Sequence, residues 1–152
     1  MILNRQSRIP LQDKVLARFL STVQRELKLG RREVTVCFVE DREIARLNGQ
    51  FRGKPKPTDV LSFPANGTGA SSFPNENGAK ALGDVAISPQ AARRNAKRFG
   101  RTLEQEVRIL ILHGVLHLAG YDHEVDDGEM ERIEMRLRKD RKSTRLNSSH
   151  RR

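Results

Sequence analysis

The sequence predicts an α+β fold, a small mixed β-sheet covered by helices. Two observations carry this. Short apolar stretches of strand length, at residues 2–6, 34–39, 58–64 and 82–88, are interleaved with longer stretches in which apolar residues recur every three or four positions. One of the longer stretches, 103–119, is apolar around most of its circumference, which places it at the centre, against the sheet.

Taken in order, residues 2–6 form a short first strand that breaks before Pro10. Leu11, Val15, Leu16, Phe19, Leu20, Val23 and Leu27 then mark an amphipathic helix, with Gly30 placed to terminate it. Residues 34–39 are apolar on both faces of a strand and so read as covered on both sides. Asp41 is placed to cap the next helix, which turns Ile44 and Leu47 inward. The connector from Arg52 to Pro57 is basic, and Pro55 and Pro57 keep it from being helical. It leads into a strand over 58–64 that ends at Pro64. Residues 66–80, rich in Gly, Ser, Asn and Ala, read as a surface loop. After the strand at 82–88, Pro89 suits the first turn of a helix that Gly100 ends. That helix turns Ala92, Ala96 and Phe99 to one side and Arg93, Arg94, Lys97 and Arg98 to the other, a face that is either plainly solvated or in contact with phosphates. A last amphipathic helix starts near Asp127 and carries Met130, Ile133 and Leu137.

The 152 residues suit a single domain able to bury a sizeable core. The longest unbroken apolar run is four residues, Ile109 to Leu112, well below the ~20 that span a membrane. The N-terminus lacks the apolar middle of a secretory signal. One cysteine, Cys37, excludes a disulfide framework and fits a reducing cytoplasm. The net charge of +10 points to an anionic partner, RNA first. Part of that charge belongs to the tail. Asp140 to His150 matches, residue for residue, one reading frame of a common sequencing-library adapter, so residues 140–152 read as a disordered translated scar and residues 1–139 as the domain. Without the tail the charge is about +6, and it gathers in the Arg52–Lys56 connector and the face of the helix after Pro89.

The chemistry is concentrated in eleven residues. His113 and His117 are four apart on the central helix and project from one face, as two ligands of one ion must. If Gly120 takes a left-handed conformation, the chain reverses and returns His123 toward the pair. Three neutral imidazoles leave a fourth tetrahedral position open for water, the arrangement of a catalytic zinc site holding one Zn2+ ion. Asp122 and Glu124 flank the third histidine; either is a plain surface charge or orients an imidazole from behind. The spacing is that of the extended zinc-peptidase motif, His-Glu-x-x-His-x-x-Gly-x-x-His, with one departure: the general-base glutamate is replaced by Gly114. A glycine inside a helix costs ~1 kcal/mol relative to alanine, so close approach to a substrate or to neighbouring backbone is expected there.

The segment His113-Gly-Val-Leu-His-Leu-Ala-Gly-Tyr-Asp-His123 resembles the signature of the YbeY family of bacterial endoribonucleases. Two more segments match that family in order: Leu47-Asn48 through Phe51-Arg52-Gly-Lys to Thr58–Pro64, and Leu82-Gly-Asp84. The resemblance implies a zinc-dependent RNase, directed to single strands, acting in ribosomal RNA processing at the small-subunit 3′ end and in ribosome quality control. It implies ribosomal or small-subunit assembly partners, no DNA substrate and no membrane. It also implies a zinc-peptidase-like metal site in an α+β fold, and Arg52 as the functional arginine, with Phe51 where the family usually has tyrosine. Arg52 would then stabilise charge on a phosphodiester, and Lys54, Lys56, Arg93, Arg94, Lys97 and Arg98 would guide the RNA backbone. Two other readings share the site: an assembly factor that uses the metal only structurally, and a peptidase-like hydrolase, which the missing glutamate and the basic charge count against.

Overall fold

The computed structural model describes residues 1–65 and 81–120. The last helix expected from Asp127 and the loop at 66–80 lie outside the described residues, as do His123, Asp122 and the tail.

Four strands and four helices are described, in the order β1 (Ile2–Asn4), α1 (Asp13–Glu26), β2 (Glu33–Phe38), α2 (Asp41–Arg52), β3 (Val60–Pro64), β4 (Ala81–Ile87), α3 (Pro89–Phe99) and α4 (Leu103–Leu118). The fold is α+β, as the sequence predicts. The strands form one mixed sheet in the order β1-β2-β4-β3. β1, β2 and β4 run parallel, while β3 lies antiparallel on the edge beside β4.

The alternation of side chains divides the core between the two faces. Val34, Val36 and Phe38 of β2 and Val85 and Ile87 of β4 face α1 and α4, meeting Leu16, Leu20, Val23, Leu110, Ile111 and Val115. Cys37, Val39, Ala86 and Leu61 face α2, meeting Ile44 and Leu47. The central helix is α4, with Val107, Ile111, Val115 and Leu116 fully buried. Its two buried charges are both paired, Glu106 with Arg101 and Arg108 with Glu104, and the Arg108 guanidinium also covers the Phe19 ring. Pairing is what makes such burial tolerable.

Several helix ends differ from the sequence reading. Asp41 does not cap α2. The N-cap position is Glu40, without a side-chain cap bond, and the Asp41 carboxylate instead accepts from the Ser88 hydroxyl at 2.7 Å and from the Arg94 guanidinium at 2.9 Å. Ser88 in turn caps α3, accepting from the Ala91 amide, with Pro89 at the first helical position as expected. α1 ends at Glu26, and the first left-handed residue after it is Lys28, ahead of Gly30. Phe99 does not turn inward with Ala92 and Ala96. It is 56% exposed, at the last residue of α3, and lies under the guanidiniums of Arg98 and Arg101. α4 opens with a capping box that joins Thr102 and Gln105.

Candidate functional site

The site is built by two helices that reach the same end of the sheet from opposite faces. α4 runs antiparallel to β4. Gly114 lies over Val85, and Leu118 lies over Gly83, two residues nearer the start of the strand. α2 begins just after β2 ends and runs back across the other face, so that Phe51 in its last turn meets Phe63 of β3, centroids 4.9 Å apart at 61°. Phe63 pairs in register with Asp84, and Pro64 with Gly83. The C-terminal ends of α2 and α4 therefore both arrive where β3 stops and β4 starts. Ser62 and Phe63, neighbours on β3 that face opposite ways, connect the two helices. The Ser62 hydroxyl donates to the Gly114 carbonyl at 3.2 Å, while Phe63 packs on Phe51. Arg52 and His113 are each one residue from these contacts.

His113 and His117 occupy the last two turns of α4, the first half-buried and the second exposed. Gly120 follows with φ +98°, the left-handed side that a chain reversal requires and that other residues resist. Two imidazoles one turn apart at an accessible helix end are donors of the type that zinc takes, two of the three or four protein ligands it needs. The third ligand expected from the sequence, His123, and the supporting Asp122 lie outside the described residues.

Gly114 has a structural reason. A Cβ at this position would stand 2.6 Å from Val85 Cγ1 and 3.0 Å from Cγ2. The close approach expected there is made by a branched side chain of the sheet, and it brings the histidine-bearing helix down onto β4. Gly83 answers from the strand: with φ +153°, its missing Cβ leaves room for the Phe63 carbonyl and Leu118. Together the two glycines set how closely α4 lies over the start of β4. A glutamate at 114 would have to displace Val85, so the base of the peptidase motif has no place in this packing.

Arg52 is the last residue of α2 and is exposed; Gly53 closes the helix in the left-handed conformation, φ +71°. The connector then folds back on its own helix. The buried Asn48 side chain donates to the Lys56 carbonyl at 3.0 Å, the Lys54 amide donates to the Asn48 carbonyl, and Pro55 packs where a Cβ on Gly49 would be. Arg52, Lys54 and Lys56 are thus gathered around the end of α2, and none is ion-paired among the described residues.

The other basic residues divide differently. Arg94 is committed to Asp41, whereas Arg93, Lys97 and Arg98 are exposed and make no ion pair among the described residues. Arg98, with Phe99 and Arg101, sits beside the start of α4, and fourteen residues at 1.5 Å each put that end about 20 Å from His117. A cleft of about 320 Å³ lined by Pro10, Leu11, Val15, Thr102, Leu103 and Val107 lies at that same distant end. It is apolar and brings none of the histidines or Arg52 together. Sequence reasoning missed Asn48, Ser62 and Phe63 as organisers of the site. Asn48, Ser62 and Phe63 stand inside the segments that resemble the YbeY family, but their partners are set only by the fold.

The chain is similar to the solution structure of TM1509 from Thermotoga maritima, with a TM-score of 0.61 and 30% identity over 99% of this chain and 98% of that one. It is 45% identical over 134 residues to a protein of Solibacter usitatus named endoribonuclease YbeY, covering 88% of this chain and 82% of the relative. A protein of the same name from Koribacter versatilis is 42% identical over 138 residues, covering 91% and 83%. One from Aquifex aeolicus is 48% identical over 106 residues, covering 70% and 65%. The family model described as endoribonuclease YbeY matches residues 1–147, a span that includes eight of the thirteen residues, 140–152, read as a scar. The chain belongs to the YbeY endoribonuclease family.

Proposed function

We propose that this chain is a zinc-dependent endoribonuclease that cuts single-stranded RNA at the end of the sheet that the C-terminal ends of α2 and α4 both reach. The observation that carries the reading is the arrival of Arg52 and the His113/His117 pair at one end of the sheet, joined through adjacent residues of β3. Membership of a family named for endoribonuclease activity supplies the substrate class.

His113, His117 and His123 would hold one Zn2+ ion, with Asp122 orienting an imidazole. Zinc in such a site supplies a Lewis acid for a phosphoryl oxygen and lowers the pKa of water. The protein's own groups do the rest. Arg52 presents a planar, permanently charged guanidinium suited to bind a phosphodiester and stabilise the extra negative charge that develops during cleavage. Lys54 and Lys56 hold the neighbouring phosphates without reading sequence. The packing of Gly114 on Val85 sets how closely the helix that carries His113 and His117 lies on β4. The biological setting we propose is ribosomal RNA processing at the small-subunit 3′ end and ribosome quality control in the cytoplasm, with ribosomal or assembly-factor partners. No described helix is long and apolar enough to cross a membrane.

The test is to purify the chain, measure bound zinc, and assay single-stranded RNA at fixed salt beside folded His113→Ala and Arg52→Glu variants. His113→Ala should lose zinc and activity together. Arg52→Glu should keep zinc and lose about a hundredfold in rate, the scale seen when one charge-stabilising group is removed. Equal cleavage by all three proteins would show a contaminating nuclease and defeat the reading. Zinc-dependent folding without cleavage by any of them would favour an assembly factor.

A further inference from the structure

Phe51 is one of two large apolar side chains among the described residues that stand mostly in solvent, at 56% exposure. Its position in α2 explains half of this. Ile44, Leu47 and Phe51 fall on one helical face, and the first two are buried against the sheet. Phe51 lies a turn further on, where the sheet has run out to the edge strand, and there it packs against the Phe63 ring. The rest of the ring is left open next in sequence to Arg52, at the helix end where the exposed Arg52, Lys54 and Lys56 gather with no ion-pair partner among the described residues. An exposed aromatic ring at a helix end that also carries unneutralised cations is the composition of a single-strand nucleic-acid surface. The cations take the phosphates, and the ring takes the face of a base.

We propose that Phe51 stacks an unpaired base of the RNA substrate and thereby seats the adjoining phosphate against Arg52. The inference rests on the endoribonuclease reading and adds the source of its preference for single strands. A paired base keeps both faces stacked within the duplex and its edges occupied, so it has no face to offer Phe51, whereas a base in a loop or at an end does. Phe51 is on this account a positioning residue. The Phe63 ring packs edge-to-face against it, and Ser62, the neighbouring residue of β3, connects the same edge to the histidine-bearing helix.

The experiment measures binding of the full chain, at one salt concentration, to a short single-stranded RNA and to an abasic oligoribonucleotide of equal length and charge. Wild type should bind the base-bearing strand about tenfold more tightly, within the range for a base on an aromatic ring. Phe51→Leu keeps an apolar contact with Phe63 but has no ring. It should weaken binding of the base-bearing strand to the abasic level, leave abasic binding unchanged and leave the unfolding temperature unchanged. Phe51→Tyr should retain the preference. The inference is overturned if wild type shows no preference, if Phe51→Leu retains it, or if that variant weakens both strands equally. Failure of wild type to bind either strand would overturn the endoribonuclease reading as well, which separates the two.

Discussion

At Gly114 the absence of one carbon decides how the site-bearing helix lies on the sheet. An alanine there would gain about 1 kcal/mol of helix propensity. It would also place a methyl 2.6 Å from a Val85 methyl that sits on a branched, rotamer-restricted side chain. Overpacking of this kind costs roughly 1–3 kcal/mol, so Gly114→Ala should lower stability in denaturant titration. Because the cost is the contact itself, combining it with Val85→Ala should recover much of the loss relative to the sum of the two single changes. Additive losses would show that Val85 is not the cause. Cys37 gives a second prediction at this scale. Burial pushes its thiol up to about 11, helped by the Glu43 and Asp84 carboxylates and opposed by Arg5. A thiol reagent at neutral pH should therefore label it only after unfolding. The folded protein holds this proton more tightly than the unfolded chain, so stability from Cys37 is present below its ordinary value near 9 and is lost as pH rises toward 11.

Among the elements, the cluster joining the starts of α2 and α3 is the one most open to test. Ser88 is fully buried, caps α3 through the Ala91 amide and donates to Asp41, and the Gln90 side chain accepts from the Asp41 amide at 2.8 Å. Ser88→Ala removes a cap, about 1 kcal/mol by itself, and also deprives Asp41 of a donor, so it should cost more than Thr102→Ala in the capping box of α4. Thermal unfolding of the two variants checks the order. Burial alone would raise the Asp41 pKa, but hydrogen bonds from Arg94 and Ser88, with the Arg94 charge, outweigh it and hold the carboxyl below its ordinary value. A depressed pKa contributes stability above the unfolded value near 3.8 and loses it as pH falls through the folded one. Acid titration of stability should therefore flatten below about pH 4 in Asp41→Asn relative to wild type.

For the whole molecule the prediction concerns charge. If Arg52, Lys54 and Lys56 each neutralise a phosphate, the logarithm of RNA affinity should fall with the logarithm of salt at a slope near −2, about 0.7 for each contact on a single strand. Lys54→Ala should reduce that slope by about 0.7, while Arg94→Ala should leave it alone, because Arg94 is already paired with Asp41. Titration of RNA binding across salt concentrations separates the two variants. Losses of equal size would return the face of α3 to the RNA path.

Local pattern was enough to order the helices and strands, and to pick out the apolar central helix, the one-turn spacing of His113 and His117 on it and the basic connector, because periodicity and spacing are properties of neighbours along the chain. Contacts between residues distant in sequence were not open to the same reasoning. Nothing local distinguishes Arg93 from Arg94, yet only the second meets Asp41, 53 residues earlier. Nothing local says that Phe99 stays in solvent while Ala96 is buried, or that Gly114 is opposed by Val85. The chemistry of the site is thus written in the sequence as residue types at fixed steps, and the tertiary structure decided where they meet. Two helices on opposite faces of a sheet are linked through the two faces of one edge strand, a connection that strand order and packing define and that no stretch of sequence contains.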